Sequence, residues 1–200
     1  MHDLRDPDRI WLGVNKTHPL DPIDAVPYDW TVPQGTRNAA NVFVRPDVTD
    51  SLADMSAGVA ATGLGEMGLQ SGFRGYAVQQ RIHAQQVAAL GRDAGEELAA
   101  RPGYSEHQTG LAVDVFACTP GCGPIDAFGD TAVGEWVAEN AWRYGWIVRY
   151  EEGRTDVTGY VPEAWHLRYI GPQLAEAYHE GGYDTLEQFF GLAPAPDYPD

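Results

Sequence analysis

The sequence predicts an α+β fold, a small antiparallel sheet with helices packed around it. Short apolar or β-branched runs have the length of strands. Segments with apolar residues at helical spacing lie between them. The two kinds do not alternate regularly, as a parallel βαβ sheet would require. At 200 residues the chain suits one domain, residues 1–200, and a 44% hydrophobic content with 6 Trp, 10 Tyr and 6 Phe can fill a core.

In chain order, Ile10 to Asn15 (IWLGVN) reads as a strand, and Thr17 to Trp30, with its prolines, as an extended wrap. Residues 1–35 are assigned to that N-terminal wrap. Val48 to Thr62 carries Leu52, Met55, Val59 and Ala60 at helical spacing, and Gly63 and Gly65 end it. Met67 to Ser71 is a short strand. Ala77 to Ala89 is a helix with Val78, Ile82 and Val87 along one side, and Gly91 separates it from a second helical piece ending near Ala100. Leu111 to Ala117 (LAVDVFA) alternates like a buried strand. Thr131 to Tyr144 reads as a helix, Ile147 to Tyr150 and Trp165 to Ile170 as strands. Pro172 suits the first turn of a helix through His179, and Tyr183 to Phe190 forms a last one. Residues 193–200, rich in proline, are a tail.

The formal net charge is -16. Such a surface repels phosphate backbones and argues against nucleic acid as a partner. Lys16 is the only lysine. No run of about 18 apolar residues exists, so no transmembrane segment is expected. The start, MHDLRDPDRI, has neither a basic nor an apolar leader region, so no signal peptide is expected in these residues. Cys118 and Cys122 lie in a Gly- and Pro-rich loop that suits a small disulfide, which would put the protein outside the cytoplasm. Two free, nearby thiols are the alternative.

Two clusters carry chemistry: Ser105 to Asp114 (SEHQTGLAVD) and Glu163 to His166 (EAWH). A hydrolytic zinc site needs three N/O ligands, an open position and a carboxylate to move protons. His107 lies just before the predicted strand, Gly110 allows a tight bend, and Asp114 lies within the strand. A carboxylate inside so apolar a strand is costly unless a cation faces it. Taken singly, each of His107, Asp114 and His166 is more often a structural residue satisfied by hydrogen bonds; together they form a ligand set. His2, His18, His83 and His179 lack any such setting.

These clusters resemble the signature of the VanY-type D-alanyl-D-alanine carboxypeptidases, zinc enzymes of the wider group that includes lysostaphin and the hedgehog signalling domain. That family reads S-x-H-x-x-G-x-A-x-D and later E-x-W-H. Ser71 to Gln79 (SGFRGYAVQ) is similar to its S-G-Y-R-S-x-x-x-Q, and Gly13 to Pro22 and Ala141 to Tyr150 are similar to further shared segments. The motifs occur in order along nearly the whole chain. Phe73 stands for the commoner Tyr, Gly75 for Ser and Ala164 for Pro.

The resemblance implies that His107, Asp114 and His166 bind one zinc ion carried by the sheet. Glu163 would be general base and then general acid; its alternative role is to orient His166. Arg74 would bind the substrate's terminal carboxylate or polarise the scissile carbonyl, with a surface salt bridge as the bland alternative. Gln79 and Ser105 would share substrate binding. Tyr76 and Tyr160 are candidate cleft residues, Trp165 a core anchor and Arg168 structural. The implied activity is zinc-dependent removal of the C-terminal D-alanine from peptidoglycan stem peptides, in an extracytoplasmic setting. L,D-carboxypeptidase action on the tetrapeptide stem, a related endopeptidase, and a non-catalytic zinc-stabilised binding module remain as alternatives.

Overall fold

The computed structural model describes residues 3–199. Its centre is a four-stranded antiparallel sheet of β1 (Glu66–Ser71), β2 (Ala112–Cys118), β3 (Trp146–Tyr150) and β4 (Glu163–Tyr169), in the order β1-β2-β4-β3. Around it lie α1 (Thr49–Ala61), α2 (Tyr76–Leu90), α3 (Arg92–Leu98), α4 (Ala132–Asn140), α5 (Thr155–Thr158), α6 (Pro172–Glu180) and α7 (Leu186–Phe190). The predicted α+β architecture is the one observed.

Helix α1 buries Leu52, Met55, Ser56 and Val59, one stripe at the i, i+3, i+4, i+7 spacing of a helical face. That stripe joins Met67 and Leu69 of β1, Val113 and Val115 of β2, and Val133 and Val137 of α4 in the main core. Helix α4 is started by Thr131, whose hydroxyl accepts a hydrogen bond from the Gly134 amide at 3.0 Å. A second cluster joins Ile147 and Ile170 to Ala175 and Tyr178 of α6 and Leu186 of α7. Thr185 caps α7 in the same way, so the predicted helix starts three residues later than Tyr183.

Two expectations are corrected. Ile10 to Asn15 forms no strand; its one ladder contact is an isolated bridge between Asn15 and His18. Leu12 and Val14 are buried, but the Ile10 and Leu12 carbonyls accept from the Arg168 guanidinium at 3.1 and 2.6 Å instead of from a neighbouring strand. On α2 the buried residue is Gln79, whereas Val78 of the expected apolar side is exposed. The reason is that α2 packs chiefly against α3 and borders a cleft. A Cβ at Gly95 of α3 would come within 2.7 Å of the Val87 Cα, so glycine permits that close approach.

Cys118 and Cys122 are joined by a disulfide. Closing so short a loop stabilises by about 2 kcal/mol through chain entropy. The double variant Cys118→Ser/Cys122→Ser is therefore expected to melt about 4–8 °C lower; an unchanged melting temperature by circular dichroism would remove the bond from the stability account.

The C-terminal tail is docked. The Ala195 amide donates to the Val157 carbonyl at 2.7 Å, and buried Lys16 donates to the Pro196 carbonyl at 3.1 Å while lying over the Tyr160 and Tyr198 rings. Among the described residues, no helix is long and apolar enough to cross a membrane.

Candidate metal and catalytic site

Sheet register brings the two motif clusters together. Asp114 on β2 is the direct cross-strand partner of His166 on β4. His107 enters from the 3-10 turn Glu106–Thr109, which Gly110 ends with a φ of 70°, a left-handed conformation that glycine adopts without strain. Each of His107, Asp114 and His166 offers a ligand atom, and these atoms all lie within 4.8 Å of one another. His2 lies outside the described residues; His83 faces Glu96 and His179 stacks on Trp142, both elsewhere.

The hydrogen-bond logic favours a cation among these three. His107 Nδ1 lies 2.8 Å from the Gly72 carbonyl, which can only accept, so Nδ1 carries the hydrogen. Burial, and next the Arg74 guanidinium, push this imidazole down to about 4, so at neutral pH its Nε2 presents a lone pair. That lone pair faces Asp114 Oδ2 at 3.2 Å, acceptor against acceptor. Burial alone would raise the Asp114 carboxyl, but the charge and hydrogen bond of the His166 imidazole help hold it well below its usual range. His166 Nε2 faces Glu106 Oε2 at 3.3 Å, while Nδ1 faces Asp114 Oδ1 at 3.3 Å and Glu163 Oε2 at 3.4 Å. Burial opposes charging His166, yet hydrogen bonds to Asp114, Glu106 and Glu163 outweigh it and raise its pKa well above the usual value. The carboxylates that attract a proton there would equally hold a metal ion in its place. The donor set of two imidazoles and a carboxylate suits zinc.

Strand alternation by itself would turn Glu163 and His166 to opposite faces. Between the pairs Val148–Leu167 and Tyr150–Glu163 the register shifts, with Arg149 of β3 standing opposite three residues of β4, Ala164, Trp165 and His166. This bulge brings the Glu163 carboxylate to the His166 side.

Arg74 follows β1 and is held by three side chains. Its Nη1 reaches Ser71 Oγ at 2.8 Å and Asp114 Oδ2 at 3.3 Å, and its Nε donates to Gln79 Oε1 at 3.2 Å. Gln79 is buried and donates its own amide to the Ala100 carbonyl at 2.8 Å. Ser105 lines the same cleft as Arg74, the three ligand candidates and Glu163. Tyr160 and Trp165 also line it, and Trp165 packs against the main core as well. Tyr76 stands in the first turn of α2, outside the cleft lining.

Sequence reasoning missed Tyr150 in the cleft wall and the role of Glu106. The Glu106 carboxylate is buried and accepts from Arg149 Nε and Arg168 Nη1, both at 2.9 Å, while Arg149 also pairs with Glu187. Burial alone would raise the Glu106 carboxyl; the two guanidinium groups overcome it and hold it ionised. The Glu106-His107 pair at the head of the metal motif was visible, but the arginine partners of Glu106 lie 43 and 62 residues away.

The VanY family model, D-alanyl-D-alanine carboxypeptidase, matches residues 41–172. The putative carboxypeptidase YodJ of Bacillus subtilis (strain 168) is 35% identical over 194 residues, 95% of this chain and 70% of that protein. Among solved structures, the LdcB LD-carboxypeptidase has a TM-score of 0.85 at 35% identity, covering 94% of this chain and 89% of that one. A mutant of the vancomycin-resistance D,D-pentapeptidase VanY from a VanB-type cassette, solved in complex with Zn(II), has a TM-score of 0.73 at 29% identity, covering 88% and 96%. A shared motif set, one fold and a matching family model over most of the chain lead to a single assignment: the chain belongs to the VanY family of D-alanyl-D-alanine carboxypeptidases.

Proposed function

We propose that this protein is a zinc-dependent carboxypeptidase that removes the C-terminal D-alanine from peptidoglycan stem peptides. The observation that carries the reading is the convergence of three ligand atoms beside Glu163 and Arg74 in one cleft. His107 Nε2, the Asp114 carboxylate and His166 Nδ1 would hold the ion. When bound, zinc polarises a carbonyl and lowers the pKa of a water to about 7. Glu163 takes the proton from the attacking water and returns it to the leaving amine as the peptide bond breaks. Arg74 supplies the positive charge for the substrate's carboxylate, and Gln79 serves binding by fixing the Arg74 guanidinium. Ser105 contributes a hydroxyl to the cleft wall.

The family to which the chain belongs favours cleavage between two D-alanines. A second reading, L,D-cleavage of the tetrapeptide, is favoured by the likeness to LdcB. Incubation with defined muropeptides followed by mass spectrometry separates them: loss of one alanine from the pentapeptide supports the first, loss from the tetrapeptide the second, and no loss from either refutes both. Amidating the peptide's C-terminus is expected to abolish cleavage; equal cleavage of the amide would make the protein an endopeptidase. We assign the protein to an extracytoplasmic setting, supported by the disulfide and by the location of such substrates.

A further inference from the structure

We propose that Glu106 is the positioning residue for His166, holding its ring so that Nδ1, and not Nε2, is presented to the metal. The inference rests on the metal reading above. Glu106 has two carboxylate oxygens with different tasks. Oε1 is taken by Arg149 Nε and Arg168 Nη1, both at 2.9 Å. Oε2 is left facing His166 Nε2 at 3.3 Å. The carboxylate cannot easily rotate, because both arginines are held elsewhere. Arg149 makes two bonds to Glu187, which in turn accepts from Asn15 Nδ2 at 3.1 Å. Arg168 donates to the Tyr169 and Leu12 carbonyls.

A carboxylate fixed in this way holds the ring in one orientation. Oε2 can only accept, so Nε2 of His166 carries a hydrogen, and Nδ1 is turned towards Asp114 Oδ1 at 3.3 Å, where a bound metal ion would take the place of a second hydrogen. Metal-bound histidines commonly depend on such a partner for their tautomer and orientation. Glu106 directly precedes His107 in the same 3-10 turn. One turn therefore addresses both imidazoles: it carries His107, whose ring is fixed by the Gly72 carbonyl, and it reaches His166 through a side chain. A carboxylate that served only as counter-ion to two arginines would have no need to aim its second oxygen at the imidazole.

The test uses Glu106→Asp, which keeps the anion but withdraws it by one methylene. Zinc affinity, read by competition with a chromophoric chelator, is expected to fall about 10- to 100-fold. The visible spectrum of the cobalt-loaded protein should shift with it. Glu187→Gln perturbs the same charge network without touching His166, so it should lower the melting temperature and keep the wild-type zinc affinity. Nitrogen NMR of the zinc-loaded wild type should show His166 with its hydrogen on Nε2 and zinc on Nδ1, and this measurement decides the matter if Glu106→Asp does not fold. Wild-type affinity in folded Glu106→Asp, an equal loss in Glu187→Gln, or a hydrogen on Nδ1 of His166 would each overturn the proposal. Failure of the metal reading looks different: His107→Ala would then bind zinc as well as the wild type does.

Discussion

Glu163→Ala is expected to lower kcat by about 10²–10⁴-fold, the usual contribution of a positioned general base and acid, with zinc content and melting temperature near wild type. The geometry supports a catalytic task for this carboxylate. It lies at the start of β4, at the register shift, and lines the cleft beside Arg74. Its Oε2 stands 3.4 Å from His166 Nδ1, so it is placed to take a proton from a water that a metal ion held by His166 would activate. The competing role is orientation of His166. Steady-state kinetics together with metal analysis separates the two. Loss of turnover with retained zinc supports proton transfer, parallel loss of both would make Glu163 a positioning group, and undiminished turnover would remove it from the mechanism.

The largest expected effect on stability comes from Arg149→Met. Arg149 is buried and holds two buried carboxylates, Glu106 at 2.9 Å and Glu187 at 2.7 and 3.0 Å. Removing the cation leaves Glu106 with Arg168 as its remaining guanidinium and Glu187 with the Asn15 amide. Breaking a buried ion pair from one side costs about 3–5 kcal/mol, because an uncompensated charge stays behind. For a chain of this size that is about 6–20 °C in melting temperature. The double variant Arg149→Met/Glu187→Leu removes one charge of each sign and should recover part of the loss. A single variant that melts within about 2 °C of wild type, less than 1 kcal/mol on the same scale, would show that the network contributes little to folding.

Where an element's pattern is local, it was legible. The Leu52, Met55, Val59 spacing announces α1 because a helix repeats within four residues, and the alternation of LAVDV announces β2 because a strand repeats within two. Asp114 was likewise legible as a candidate, since a carboxylate inside an apolar strand calls for a cationic partner, whereas His107, Glu163 and His166 were legible from their grouping in two short motifs that resemble the family signature. Ile10 to Asn15 misled for the converse reason. Its apolar residues are buried as read, but burial does not specify a hydrogen-bonding partner, and that partner is a guanidinium 158 and 156 residues away.

The amino-acid order by itself therefore determined the fold class, most helices and strands, the disulfide loop and the set of candidate ligands, all properties written in short-range spacing and residue chemistry. Only the tertiary structure decided that Asp114 and His166 sit opposite one another, that a bulge in β4 turns Glu163 inward, and that Glu106, Arg149, Arg168 and Glu187 form one buried network. Register, bulges and buried charge pairing join residues distant along the chain, and the energy that selects them comes from desolvation and mutual compensation once those residues meet.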